Sequence, residues 1–322
     1  MKFNMAPPAR RMVEQVMGVR PGEKVLLVTD CERPASITEA LAHAVGRAGG
    51  RLAVMDMPPH RMGGIDPLPQ VGAAMGASDV VILQVSFASF HTDTVRGALK
   101  KGARVIDMWG FEEEMMLAGG ANVDYEELGR LTTRVAEIMT RGKEGRFTTP
   151  GGCDMRFSLE GRTCHPLCGV AHEPGSHCAI PTGEAAVSPV RGSAEGVLAD
   201  PFSIEREDLG FVTEPMRMEV KGGEVIAIEG SPAADRFWRL IEETGPLARN
   251  VAEFAVGTNP NARKRATMRE AKKAYGTCHM AFGDSQSLGG EVEVQLHVDM
   301  IFDDPTVWID GEMIVQEGKI VL

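Results

Sequence analysis

Arg20-Pro-Gly-Glu-Lys-Val-Leu-Leu-Val-Thr-Asp30 decides how the first half of the chain folds. Pro21-Gly22 marks a turn, and residues 24–29 form an apolar run of strand length. Residues 34–47 then read as a helix that stops at Gly49-Gly50, and Arg51-Leu-Ala-Val-Met55 as a second strand. The pattern repeats with a strand at 79–85, a helix at 92–101 and a strand at 103–107. Short strands separated by helices imply right-handed crossovers and a parallel sheet covered on both faces. The loop Asp30-Cys-Glu-Arg-Pro-Ala-Ser36 lacks the G-x-G-x-x-G fingerprint. The Rossmann-like order therefore comes without support for a dinucleotide.

Tyr125–Arg141 has the helical period, with Leu128, Leu131, Val135, Ile138 and Met139 apolar. Gly142-Lys-Glu-Gly145 follows, and it divides the chain into an α/β domain, residues 1–145, and an α+β domain, residues 146–322. The second domain reads as a largely antiparallel sheet or barrel. Strands are expected at 155–159, 184–187, 216–220, 225–229, 278–282, 292–300 and 306–309, with one helix at 233–244. Gly222-Gly223 and Asp310-Gly311 are hairpin signals.

The chain has 322 residues, is 43% hydrophobic and carries a net charge of −11. That balance argues against nucleic acid or an anionic membrane as partner. No apolar run is long enough to span a bilayer, and residues 1–8 lack the apolar core of a signal peptide, so a cytoplasmic location is expected. Arg263-Lys264-Arg265 with Arg269, Lys272 and Lys273 form a local basic cluster, read as a solvated helix face. Cys153, Cys164, Cys168 and Cys178 fall near His165, His172 and His177. Cys164-x3-Cys168 offers a zinc-knuckle reading. Its spacing matches no paired-knuckle pattern, which favours free thiols in a loop bordering the active-site cleft.

Five residues carry the chemistry: Glu184, Glu253, His279, His297 and Asp299. Acids and imidazoles bind divalent metals of the zinc, cobalt, manganese and iron type. His297-Val-Asp299 sits on an expected strand whose alternate side chains share a face, so the imidazole and the carboxylate project together. Glu253 lies in the apolar run Val251-Ala-Glu-Phe-Ala-Val-Gly257, where a buried carboxylate needs a cation. Its competing reading is surface alternation. Glu184 opens a strand after the turn Pro181-Thr-Gly183. His279 sits in Gly276-Thr-Cys-His-Met-Ala-Phe-Gly283, where a hydrogen-bonded core histidine is the bland alternative.

Pro181-Thr-Gly-Glu-Ala-Ala-Val-Ser-Pro189, Ala252-Glu-Phe-Ala-Val-Gly-Thr-Asn-Pro260, Gly276-Thr-Cys-His-Met-Ala-Phe-Gly283 and Leu296-His-Val-Asp-Met300 resemble, in order, the motifs of the thermophilic metallo-aminopeptidase (aminopeptidase T) family. The resemblance implies an N-terminal α/β domain, a C-terminal domain holding a two-metal site, and a homodimer. It makes Glu184, Glu253, His279, His297 and Asp299 the metal ligands, for zinc, cobalt or manganese. The expected reaction is hydrolysis of an amide or short peptide by a metal-activated water, with Glu184 as general base. Two positions depart from that family. Its further acid before the first histidine is replaced here by Lys272-Lys-Ala-Tyr-Gly-Thr-Cys278, and its tyrosine seven residues after that histidine by Gln286. A single-metal site remains open.

The chain also resembles the 2,5-dihydroxypyridine 5,6-dioxygenases, ring-cleaving Fe(II) enzymes of the same superfamily. They are similar at the final His-x-Asp, at the Pro-x-x-Glu turn and in length. Their remaining iron ligand is a histidine where this chain has Glu253. The alternative expectation is therefore an Fe(II) dioxygenase acting on a hydroxylated N-heterocycle. His279, His297 and Asp299 would form a two-His, one-carboxylate set. A further alternative is a metal-binding homologue without turnover.

Overall fold

The structure, a computed structural model, describes residues 2–89, 92–206 and 208–322, the side chains of Lys2 and Phe3 excepted. The chain divides into two compact units. The first comprises Met1–Glu127 with Cys168–Thr182, and the second Leu128–Leu167 with Gly183–Leu322. The strand Glu144–Thr148 belongs to the second unit. Among the described residues no helix is long and apolar enough to cross a membrane.

The first unit is the expected α/β layer structure. Its parallel sheet runs in the order Arg51–Met57, Lys24–Asp30, Val80–Gln84, Arg104–Asp107, His177–Ala179. The run at 24–29 is buried throughout except at Lys24, as a strand covered on both faces must be. Asp30, at the end of that strand, accepts hydrogen bonds from the amide and hydroxyl of Ser86 at 2.6 and 2.7 Å. His177–Ala179 joins the edge of the sheet from far along the chain.

The second unit packs two largely antiparallel sheets face to face. Eight strands form one sheet: Glu224–Glu229, Arg217–Lys221, Glu195–Ala199, Asp154–Ser158, Glu144–Thr148, Thr306–Ile309, Glu312–Gln316 and Lys319–Ile320. Seven form the other: Gly210–Phe211, Ser203–Ile204, His297–Phe302, Cys278–Gly283, Val251–Gly257, Glu184–Val187 and His165–Leu167. Both hairpins form at the glycines that signal them, Gly222-Gly223 and Asp310-Gly311.

One face of the seven-stranded sheet builds the core. Val187, Phe254, Val256, Met280, Phe282, Val298, Met300 and Phe302 are buried there with Phe147, Met155, Phe157 and Met218 from the other sheet. Phe254 stacks on Phe147 at 5.4 Å and meets Phe157 at 4.7 Å between ring centroids. Side chains alternate across a strand, so the residues between them point to the opposite face. That face carries the site.

Two expectations change. The strand that holds His297 begins at His297 rather than at 292. The apolar positions Val292 and Leu296 are nevertheless buried, so the alternation reports burial without ladder pairing. The basic cluster is not a solvated helix face. Only Met268–Ala271 is helical, Arg269 and Lys273 are buried, and Lys264 and Arg265 pair with Asp303.

Candidate metal centre

Strand register brings the five expected residues together. Asp299 pairs across from Ala281, His297 from Gly283, His279 from Ala255, Glu253 from Ala281 and Glu184 from Gly257. Directly opposed residues share a face. Glu184, Glu253, His279, His297 and Asp299 therefore project from one face of four neighbouring strands. Ala186, Ala255 and Ala281 occupy that face between them, small enough to leave the polar groups room to converge.

The geometry centres on Glu253. One carboxylate oxygen, Oε1, lies 3.1 Å from Nε2 of His279, and Oε2 lies 3.1 Å from Nε2 of His297. His297 Nε2 is also 3.2 Å from Oδ1 of Asp299. Single donor atoms of Glu253, His297 and Asp299 all lie within 4.8 Å of one another, the one such group of three among the described residues. His279 Nε2 is 3.7 Å from Glu184 Oε2. All are buried except His297, whose side chain is 32% exposed and opens the centre to solvent. The centre thus takes in Glu253, His297 and Asp299, with His279 on the other oxygen of Glu253 and Glu184 beyond it.

Two glycines fix this arrangement. Gly183 takes φ +114°, and a Cβ there would lie 2.8 Å from Asn259 Cβ. Only glycine fits where the chain turns into Glu184. Gly257 lies so close to the segment after the short helix that an added Cβ would sit 2.2 Å from the carbonyl oxygen of Ala274. Backbone bonds Gly257 N to Thr277 O and Asn259 N to Lys273 O pin that segment to the strand.

That segment supplies two residues sequence reading placed in solvent. Lys273 donates to Oε1 of Glu184. Lys272 donates to Oδ2 of Asp299 and pairs with Glu205, whose amide donates to the carbonyl of Asp299 at 2.9 Å. Ala271 and Ala274 on either side are fully buried, the one local sign that the lysines between them are not surface residues. Glu270 is buried and paired with Arg263, and Gln286 reaches Glu293. Neither enters the centre.

The charges respond to one another. Burial pushes the Glu253 carboxyl up, but hydrogen bonds from His279 and His297 overcome it and hold it at about 2. Burial likewise pushes Asp299 up, yet Lys272 and His297 hold it well below the usual carboxylate range. Burial pulls the imidazoles down, and the facing carboxylates raise His279 and raise His297 well above the ordinary value. Lys272 is held well above its usual range, burial opposing and Asp299 and Glu205 favouring its charge. Burial wins at Lys273 and lowers it despite Glu184.

Whether a cation fits can be read from the orphaned atoms. Glu184 Oε2 and His279 Nδ1 are buried with no hydrogen-bond partner, and Asp299 Oδ1 faces His297 Nε2 alone. In His297, Nδ1 lies 2.7 Å from the carbonyl oxygen of Asp284. A carbonyl only accepts, so Nδ1 carries a proton; in the metal-free centre Nε2 carries a second one toward Glu253 and Asp299, and its loss would leave a lone pair at Nε2. That lone pair and two carboxylate oxygens would then face one another with no donor between them. Imidazole nitrogen and carboxylate oxygens suit a first-row divalent metal. The Cys164-x3-Cys168 stretch forms no such group among the described residues, and its cysteines are free thiols.

The family model for 2,5-dihydroxypyridine 5,6-dioxygenase matches residues 9–322. The chain belongs to the 2,5-dihydroxypyridine 5,6-dioxygenase family. It is 21% identical to a 2,5-dihydroxypyridine 5,6-dioxygenase of Pseudomonas putida over 259 residues, 77% of this chain and 72% of that protein. The solved 2,5-dihydroxypyridine dioxygenase from Pseudomonas putida KT2440 superposes with a TM-score of 0.81 at 17% identity, covering 100% of this chain and 98% of that one. AmpT from Thermus thermophilus superposes with a TM-score of 0.73, also at 17% identity, over 100% of both chains. Both architectures expected from the sequence motifs are therefore found in the fold, and the family match points to the dioxygenases rather than to the hydrolase.

Proposed function

We propose that the chain is a metal-dependent dioxygenase that opens the ring of a hydroxylated N-heterocycle of the dihydroxypyridine class. The observation that carries this is the convergence of donor atoms from Glu253, His297 and Asp299 within 4.8 Å, in a chain of the 2,5-dihydroxypyridine 5,6-dioxygenase family. Three protein donors, here one imidazole and two carboxylates in place of the two-His, one-carboxylate triad of non-haem iron oxygenases, leave coordination positions for substrate and dioxygen. Fe(II) bound there would supply the electrons that activate dioxygen.

The chain's own residues hold that centre in shape. Asp284 fixes the tautomer and ring plane of His297 through its carbonyl. Lys272 takes Oδ2 of Asp299 and leaves Oδ1 turned to the centre. His279 does the same for Glu253, donating from Nε2 to Oε1 and leaving Oε2 on the side of His297. The solvent-facing side of His297 is where a planar ring would approach.

The test is oxygen uptake. Protein loaded anaerobically with Fe(II) and mixed with 2,5-dihydroxypyridine should consume dioxygen as the ring absorbance disappears. No uptake above the Fe(II)-only rate would sink the reading. One observation favours a hydrolase as the second reading: each oxygen of Glu253 faces its own imidazole, the disposition of a carboxylate bridging two metals. Release of the N-terminal residue from short peptides by the zinc- or cobalt-loaded protein would support it.

A further inference from the structure

We propose that Lys273, with Lys272 beside it, holds the place of a second metal ion and limits the centre to one divalent cation. This rests on the metal centre proposed above and goes beyond it by fixing the metal count and naming the residue that sets it.

Glu184, His279 and Glu253 Oε1 together have the donor types a second metal would need. Each is already engaged by a protonic group. Lys273 Nζ occupies Oε1 of Glu184, and the Nε2 of His279 lies 3.1 Å from Oε1 of Glu253. Lys272 Nζ takes Oδ2 of Asp299, the oxygen turned away from His297. Only the half of the cluster made by Glu253 Oε2, His297 Nε2 and Asp299 Oδ1 is left without a lysine.

Charge balance agrees. Of four largely buried carboxylates, Glu184, Glu205 and Asp299 pair with the two lysines, and Glu253 with the imidazoles. Two ammonium groups and one divalent cation match the four. A second divalent cation would leave an uncompensated double positive charge in a site with little solvent, which is costly. The backbone enforces the lysines' place, since Lys273 O accepts from Asn259 N at 2.9 Å and Gly257 packs against the same segment. Lys273 is thus a positioning residue, acting through Glu184.

Metal counting under Mn(II) tests this. Metal-free protein is equilibrated with excess Mn(II), freed of unbound metal and analysed for Mn(II) per chain, with its electron paramagnetic resonance spectrum recorded. The wild type should hold one Mn(II) per chain with the spectrum of an isolated ion. Lys273→Ala should hold two, with the broadened spectrum of a coupled pair. Lys273→Met keeps the length of the stem and should behave likewise if the alanine variant does not fold. Two Mn(II) in the wild type would overturn the inference, as would one in a folded Lys273 variant, and both leave the centre itself standing. No bound Mn(II) in the wild type would remove the metal centre and the inference together.

Discussion

The Nδ1 of His297 lies 2.7 Å from the main-chain carbonyl oxygen of Asp284, and it is the donor of that hydrogen bond. Once neutral, the imidazole would therefore turn its Nε2 lone pair toward Glu253 and Asp299, 3.1 and 3.2 Å away. A main-chain acceptor cannot be lost by side-chain replacement, so the backbone itself sets this imidazole's tautomer. The metal-free centre satisfies the three groups only by protonating the ring, and a divalent cation bound there would replace that proton.

Glu253 is the residue whose loss should harm the fold most. It is buried and accepts from two imidazoles. Glu253→Ala leaves both without their anion, and breaking a buried pair of this kind costs about 3–5 kcal/mol. Urea unfolding of the metal-free protein should register the loss. A change near zero would mean that the imidazoles find other partners.

Stability without metal should peak in mild acid. His279 and His297 are raised, so the stability they contribute is complete below the ordinary imidazole value and is lost as pH rises through their raised values. Glu253 and Asp299 are lowered, so theirs is present above the ordinary carboxylate range and is lost as pH falls. The melting temperature of the metal-free protein should therefore be highest near pH ~5–6, between those ranges. Divalent metal should move the optimum upward, because binding displaces imidazolium protons. A metal-independent pH profile would contradict this.

Gly257→Ala should loosen the centre from behind. The added methyl would meet the Ala274 carbonyl at 2.2 Å, and overpacking of this kind costs roughly 1–3 kcal/mol. The segment that yields is the one carrying Lys272 and Lys273. A lowered melting temperature together with weaker metal retention is expected, and an unchanged melting temperature would show that the contact relaxes freely.

The thiols should separate by burial. Burial pushes the Cys153 thiol up to about 11, and raises Cys164, Cys178 and Cys278 as well. Cys31 is exposed and free. An aromatic disulfide reagent at neutral pH should label Cys31 rapidly, and these four only on unfolding. Rapid labelling of any of the four would contradict the packing.

What was legible in the sequence follows from the range of the interactions. The helix Tyr125–Arg141 and the hairpins at Gly222-Gly223 and Asp310-Gly311 are local, and periodicity and turn chemistry specify them. His297 and Asp299 lie on one strand, so their common face follows from the period of two. Glu253 stood out because a carboxylate in an apolar run demands a partner. The partners did not. Lys273 meets Glu184 across 89 residues and Lys272 meets Asp299 across 27, and in sequence two adjacent lysines look like solvated surface. The tautomer of His297 was equally hidden, because it depends on a backbone carbonyl that any residue could present. His177–Ala179 joins the first unit's sheet with three residues, too few for a periodic signal.

Anaerobic calorimetric titration of metal-free protein with Fe(II), wild type against His297→Ala, tests the central claim most directly. The wild type should bind Fe(II) tightly, and the variant should bind it at least ~100-fold more weakly, at or beyond the upper end of the loss seen on removing a mere supporting group. Equal affinity in the two proteins would contradict a metal centre built on Glu253, His297 and Asp299.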